Sequence, residues 1–281
     1  MSSTDHIVSN PLQLNSSQTL KVIEVFLHDE MRRVGFEQAV IGLSGGIDSA
    51  LSTYLAVRAL GKEHVHCVMM PYRSSSPESL SDAKAVISDL GISSEVVEIS
   101  AMADAYFAMN GEMDNLQKGN VLARLRMIVL YDRSHSKKAL VIGTSNKTEW
   151  LLGYTTLFGD SASAINPIGD LYKTQVRQLS EELRVPRSIL EKAPSADLWS
   201  GQTDEKEMGL TYDEADRLLY YLVDCRESEE ELLARGFAKE LVSKVKAMIR
   251  RSQFKRMPPL VAKISPRTVN IDFRYPRDWG S

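Results

Sequence analysis

The 281-residue chain holds only two cysteines, Cys67 and Cys225, and no CxxC pair. A disulfide framework, a cysteine zinc knuckle and thiol redox work are thereby excluded, and a reducing cytoplasm is the expected setting. No segment approaches the ~18 consecutive apolar residues needed to span a bilayer. Residues 1–15 are polar, without a cationic stretch leading into an apolar one, so neither export nor membrane insertion is expected. An excess of one charge is also missing: 34 basic against 37 acidic residues leave −3, and nothing in the balance calls for nucleic acid. His64, His66 and His135 lack zinc-site spacing and read as surface or sheet-edge residues. No GxxxxGK loop and no GxGxxG fingerprint follows the first apolar run, which disfavours simple γ-phosphoryl transfer.

What is present reads as a globular α/β protein, with 43% hydrophobic and 25% charged residues. Leu20, Ile23, Phe26, Leu27, Met31 and Val34 recur at helical spacing, with Ser16 or Ser17 placed to cap the start. Short apolar runs at Val40 to Leu43, Val65 to Met70, Glu95 to Ile99 and Ala139 to Gly143 alternate with helical patterns, among them Pro77 to Leu90 and Gln117 to Tyr131. Strands apolar on both faces and joined by helices predict a parallel, doubly covered sheet. From Asp160 the strand pattern stops, and short helices near Tyr172 to Leu183, Tyr212 to Leu222 and Phe237 to Arg251 precede a loop-rich tail carrying Pro258, Pro259, Pro266 and Pro276. The expected organisation is one domain: a polar tail over 1–16, an α/β core over 17–160, and a helical annex with its tail over 161–281.

In an open parallel sheet ligands gather beyond the carboxyl ends of the strands. The first strand runs straight into Ser44-Gly45-Gly46-Ile47-Asp48-Ser49. Two glycines let the backbone approach an anion, and the following helix offers unpaired N–H groups and its positive end, a geometry suited to pyrophosphate. Asp48 would repel phosphate unless it binds Mg²⁺ bridging the phosphate oxygens. The bland alternative is a Gly-rich βα turn with a capping serine. A second cluster, Gly143-Thr144-Ser145-Asn146-Lys147-Thr148-Glu149, follows the last strand at the same edge. Lys173, read alone, is a solvated lysine at a helix start, and Arg250, Arg251, Lys255 and Arg256 read as a solvated helix end complementing the dipole.

The SGGxDS stretch resembles the signature of the PP-loop ATP pyrophosphatases, which adenylate their substrates. Several further stretches widen the resemblance: Gly119-Asn120, Ala123-Arg124-Leu125-Arg126, Gly159-Asp160, Pro167-Ile168-Gly169, Leu171 to Val176, Lys192 to Leu198, and Gln202 to Glu205. In this order they resemble the ammonia-dependent NAD⁺ synthetases from about residue 20 to the C-terminus. The resemblance implies a doubly wound, mostly parallel, Rossmann-like fold of the adenine nucleotide alpha-hydrolase type. It also implies amidation of deamido-NAD⁺: ATP adenylates the nicotinate carboxylate, pyrophosphate leaves, and ammonia displaces AMP. By the same resemblance Gly42, Leu43, Ser44, Gly45, Gly46, Ile47, Asp48 and Ser49 bind ATP together with Thr144, Lys173 and Ser195. Asp48 and Glu149 hold Mg²⁺, Asp48 and Lys173 are catalytic, and Arg124, Phe254 and Lys255 meet deamido-NAD⁺. The chain departs from the commonest pattern at Leu157, Ala164 and Phe254, where lysine, aspartate and histidine are usual. Because the phosphate loop and the Glu149 region are intact, these departures imply a subgroup with a rearranged dinucleotide site rather than a different reaction, with a changed acid substrate as the alternative.

No room for a glutaminase domain is expected before Leu20, so free ammonia is the expected nitrogen donor, with a separate glutaminase subunit left open. The resemblance also implies a homodimer, with the helix around Arg124 as a contact element. Competing readings are another adenylating PP-loop enzyme, such as a GMP-synthetase-like amidase or a tRNA-modifying thiolase or lysine ligase, and a nucleotide-binding module without chemistry. The isolated cysteines and the charge of −3 weigh against a tRNA enzyme, and the presence of both Asp48 and Glu149 against an inert module.

Overall fold

A computed structural model describes residues 10–195, 203–269 and 271–272. Four strands, β1 (Gln38–Gly42), β2 (Val65–Met69), β3 (Ser93–Val96) and β4 (Ala139–Ile142), form one all-parallel sheet in the order β3-β2-β1-β4. The chain winds outward from β1 to β3 and then returns to the other side of β1. The topological switch point therefore lies between β1 and β4, where a crevice opens beyond the strand ends.

Around and beyond the sheet lie α1 (Ser16–Arg33), α2 (Ile47–Leu60), α3 (Pro77–Leu90), α4 (Ser100–Ala108), α5 (Asn115–Lys137) and α6 (Lys147–Leu152). The later part of the chain adds α7 (Lys173–Glu182), α8 (Arg187–Glu191), α9 (Asp204–Met208), α10 (Tyr212–Leu219), α11 (Glu229–Ala234) and α12 (Lys239–Arg251). Alternate strand residues divide the core, as a period of two requires. Ala39, Ile41, Val65, Cys67 and Met69 pack with α1, α2, α3 and α7, whereas Val40, Val68, Ala139 and Val141 pack with α4 and α5. Both faces of the sheet are thus covered, as expected. A separate cluster of Leu152, Tyr172, Leu210, Tyr212, Leu218, Leu232, Val242 and Val245 forms the core of the annex.

Several local expectations are corrected. Asn15, not Ser16 or Ser17, caps α1, its Oδ1 accepting from Gln18 N at 3.1 Å. Phe26 and Val34 face outward (36% and 56% exposed), so the buried stripe of α1 is Leu20, Ile23, Leu27 and Met31. The third strand is Ser93–Val96, a mostly exposed polar edge, and Ile99 instead precedes α4, a helix absent from the sequence reading. A polar edge protects an open sheet from pairing with another chain. Strand-like pairing also continues past Asp160: Ile165 bridges Ile142, with Gly143 N donating to Ile165 O at 2.7 Å. The last correction concerns Lys255 and Arg256, which are not a solvated terminus. Arg256 Nη1 donates to Trp150 O (2.7 Å) and Leu151 O (3.0 Å), and its Nη2 to Ile249 O (2.6 Å), so one guanidinium caps the ends of α6 and α12. Pro276 and residues 196–198 and 202 lie outside the described residues.

Candidate active site

β1 ends at Gly42, and its chain direction is carried one residue further by Leu43 N donating to Val68 O at 3.0 Å. The loop then closes on its own serines. Ser44 N donates to Ser49 Oγ (3.2 Å), Gly46 N donates to Ser44 Oγ (3.2 Å), and Ser49 Oγ donates to Gly46 O (3.0 Å). Gly45 has φ +81°, and a Cβ added there would lie 2.1 Å from the carbonyl oxygen of Ser79 on α3, so glycine is required by backbone and by space. Gly46 caps α2 with no side-chain hydrogen bond. The first-turn N–H groups of α2 are left for an anion, and the helix dipole favours it.

Asp48 stands in the first turn of α2, Glu149 in the first turn of α6, and Lys173 opens α7. The three meet although 101 and 24 residues separate them in the chain. Lys173 Nζ donates to Asp48 Oδ2 and lies 3.4 Å from Glu149 Oε1. It is 7% exposed, so the solvated-lysine reading does not hold. Asn146, fully buried, joins the two carboxylates: its Nδ2 donates to Asp48 Oδ1 at 2.8 Å, and its Oδ1 accepts from Glu149 N at 3.0 Å. Glu149 in turn accepts from Asn146 N at 3.2 Å, completing a capping box that fixes the carboxylate at the head of α6.

Burial, followed by the charge of Asp48, pushes the Glu149 carboxyl up to about 8, with the Lys173 ammonium pulling the other way. Burial works against the Lys173 ammonium, but Asp48 and Glu149 outweigh it and hold the proton firmly. Asp204, 4% exposed, adds a third acid whose pKa is raised by burial; it accepts from Tyr154 OH (3.1 Å) and Tyr212 OH (3.0 Å). The face of the Tyr212 ring lies 5.0 Å from Lys173 Nζ. Three buried acids therefore share this space with one ammonium. The oxygens of Asp48 and Glu149 suit a hard divalent cation. No cluster of three or more such ligands occurs among the described residues, so phosphate oxygens and water would have to complete the shell.

The residues expected to meet the dinucleotide do not touch this ionic centre. Lys255 Nζ donates to Gly153 O (2.7 Å) and Thr155 O (2.6 Å), and Arg124 Nη2 to Leu157 O (3.2 Å). Both cations hold the 153–157 loop by its carbonyls, a task that asks nothing of the Leu157 side chain. Phe254, the residue before Lys255, is 60% exposed, and Ala164 contributes a main-chain N–H to Val141 O at 2.9 Å. Thr144 follows β4 at the switch-point edge. Ser195 lies three residues after Lys192, whose Nζ donates to Ser79 Oγ (3.0 Å) and Asp82 Oδ2 (3.1 Å), on the turn of α3 that abuts Gly45. Asn146, Asp204 and Tyr212 were not assigned roles from sequence. An Asn three residues before a Glu is a readable capping-box signal; nothing local marks the other two.

Residues 19–259 match the family model described as NAD synthase. The chain is 55% identical over 269 residues to the NH(3)-dependent NAD(+) synthetase of Trichlorobacter lovleyi, covering 96% of this chain and 98% of that one. Among solved structures, NMN synthetase from Francisella tularensis superposes with a TM-score of 0.80 at 35% identity, over 89% of this chain and 99% of that one. The NH3-dependent NAD synthetase from Campylobacter jejuni, solved with a nitrate ion, gives 0.77 at 33% identity, over 89% and 100%.

Proposed function

The chain belongs to the NAD synthase family, and from that membership we propose that Asp48, Glu149 and Lys173 form the centre at which it amidates deamido-NAD⁺ with ammonia at the expense of ATP. The observation that carries the assignment is the convergence of these three side chains, from three helix N-termini, at the switch-point crevice.

In the first half-reaction a nicotinate carboxylate oxygen attacks the α-phosphorus of ATP. The bond to the bridging oxygen breaks, and its electron pair leaves with pyrophosphate. The Ser44–Ser49 loop and the α2 N-terminus hold the phosphates, and Lys173 places a fixed ammonium where charge develops on the leaving group. Such preorganised charge is worth about 10²–10³ in rate when one donor is removed. Mg²⁺, held by Asp48 and Glu149, would neutralise phosphate charge and orient the leaving group. In the second half-reaction ammonia attacks the acyl carbon of the adenylate, AMP departs with the electrons of the C–O bond, and nitrogen loses one proton to become the amide. Arg124 and Lys255 position the dinucleotide by way of the 153–157 loop, with Phe254 at its exposed edge, and Thr144 and Ser195 contact the nucleotide.

The whole chain works as one catalytic unit, the core over 17–160 supplying the phosphate loop and the annex over 161–281 supplying Lys173. We assign it to the cytoplasm as a homodimer. Among the described residues no helix is long and apolar enough to cross a membrane. The test is pyrophosphate release and NAD⁺ formation from ATP, Mg²⁺ and deamido-NAD⁺, with ammonium or glutamine as nitrogen source and nicotinate mononucleotide as a parallel acid. NAD⁺ from ammonium alone is the expected result. Amide formed only from the mononucleotide would mean that the departures at Leu157, Ala164 and Phe254 have changed the acid substrate.

A further inference from the structure

Helix α7 begins with an unusual problem: the residue before it, Tyr172, has no side-chain group able to cap the first turn, its hydroxyl being engaged by Asp224 at 3.1 Å. The first N–H groups of a helix need acceptors; Gln175 N finds one locally in Tyr172 O at 2.9 Å, but for Lys173 and Thr174 they come from elsewhere in the fold. Lys173 N donates to Thr148 Oγ1 at 3.0 Å, and Thr174 N donates to Asp216 Oδ2 at 2.8 Å. Thr148 Oγ1 then donates to Asp216 Oδ1 at 2.5 Å, closing a relay. Thr148 and Asp216 are both fully buried.

The relay touches the ionic centre at two adjoining residues. Thr148 precedes Glu149 in α6, and Thr174 follows Lys173 in α7. Asp216 sits on α10, one turn after Tyr212, whose ring faces Lys173 Nζ. Asp216 of α10 therefore holds the Thr148 side chain beside Glu149 and the Thr174 main chain beside Lys173, without itself hydrogen-bonding to either charged end. We infer that Asp216 and Thr148 are positioning residues for the reaction: α10 caps α7 from outside through them and sets the separation of Lys173 from Glu149. This rests on the reading that Lys173 assists departure of pyrophosphate.

Positioning errors of about 1 Å are sufficient to cost one to two orders of magnitude in turnover. Thr148→Val keeps the side-chain shape but removes the hydroxyl, so kcat for NAD⁺ formation is expected to fall about 10-fold, with KM for ATP within about twofold. Thr148→Ser, which keeps the hydroxyl, restores turnover, and Asp216→Asn lowers kcat as Thr148→Val does. Each variant is assayed as the full chain, after a urea melt has shown it folded at the assay temperature. The deciding measurement repeats Thr148→Val in a Lys173→Gln background. If Thr148 acts through Lys173, the second substitution costs less than about twofold there, since effects within one unit are not additive. An equal 10-fold loss in both backgrounds would overturn the inference in favour of a general packing role. So would near-normal kcat in folded Thr148→Val while Lys173→Gln is impaired about 10²-fold. Near-normal turnover of Lys173→Gln itself would instead remove the reading of Lys173, and the inference with it.

Discussion

Gly45 and Gly46 are indistinguishable as letters, yet the structure predicts that they respond in opposite ways to one added methyl group. At Gly45 the backbone has φ +81°, which costs an L-residue about 1–2 kcal/mol. The new Cβ would also lie 2.1 Å from Ser79 O. That oxygen belongs to the main chain of α3 and cannot swing aside as a flexible side chain could, so a further 1–3 kcal/mol, roughly, is expected from overpacking. Gly45→Ala should destabilise the chain by about 3 kcal/mol or more and lower the urea midpoint by roughly 1 M. Gly46 is extended (φ −91°, ψ 160°), and an added Cβ meets only Ser44 Oγ at 3.4 Å. Gly46→Ala should cost less than about 1 kcal/mol, the difference between Gly and Ala as a helix cap. Urea unfolding of both variants, with MgATP titration calorimetry alongside, provides the assay. Gly46→Ala should unfold near the parent yet bind ATP more weakly, because its methyl group occupies space a phosphate would use. Equal midpoints for the two variants would refute the claim that the contact with Ser79 dictates the first glycine.

Replacing Asp48 with Asn should reduce turnover by about 10²-fold or more, through weakened metal-assisted charge stabilisation, in steady-state NAD⁺ formation; a near-normal rate would remove Asp48 from the metal site. Asn146→Ala removes both the cap of α6 and the hydrogen bond to Asp48, so unfolding should be about 2–3 kcal/mol easier and apparent Mg²⁺ affinity should fall. Burial raises the Glu149 carboxyl, so a metal ion bound at the proposed Asp48–Glu149 site would displace more proton at neutral than at alkaline pH. Calorimetry in buffers of different ionisation enthalpy should therefore detect proton release on Mg²⁺ binding at pH 7 that declines as the pH is raised to 9. A release that does not vary with pH, or that persists in Glu149→Gln, would place the proton elsewhere.

Much of the molecule is legible in the sequence alone, because the signals concerned are local. A strand that runs into SGGxDS and then a helix is a contiguous pattern, and the alternation of apolar runs with helices was enough to specify a parallel sheet with both faces covered. The apolar pattern failed at the sheet edge, where β3 is short, polar and exposed, because a strand with one neighbour has little reason to be hydrophobic. It also failed at the chain's basic end, where Arg256 serves carbonyls 105 and 106 residues away that only packing could bring near. Asp48, Glu149 and Lys173 as candidates, and the pairing of the two acids around a metal, follow from motif and resemblance, but the contact of Lys173 with both acids does not. That Lys173 is buried between two acids follows from the placement of three helix starts around the β1/β4 switch point. The share taken by Asp204, Tyr212 and Asp216 arises because the annex packs its own core against α6 and α7. Local sequence records which groups a segment can offer. Which buried charges must compensate one another is a property of the space they share, and only the tertiary structure defines that space.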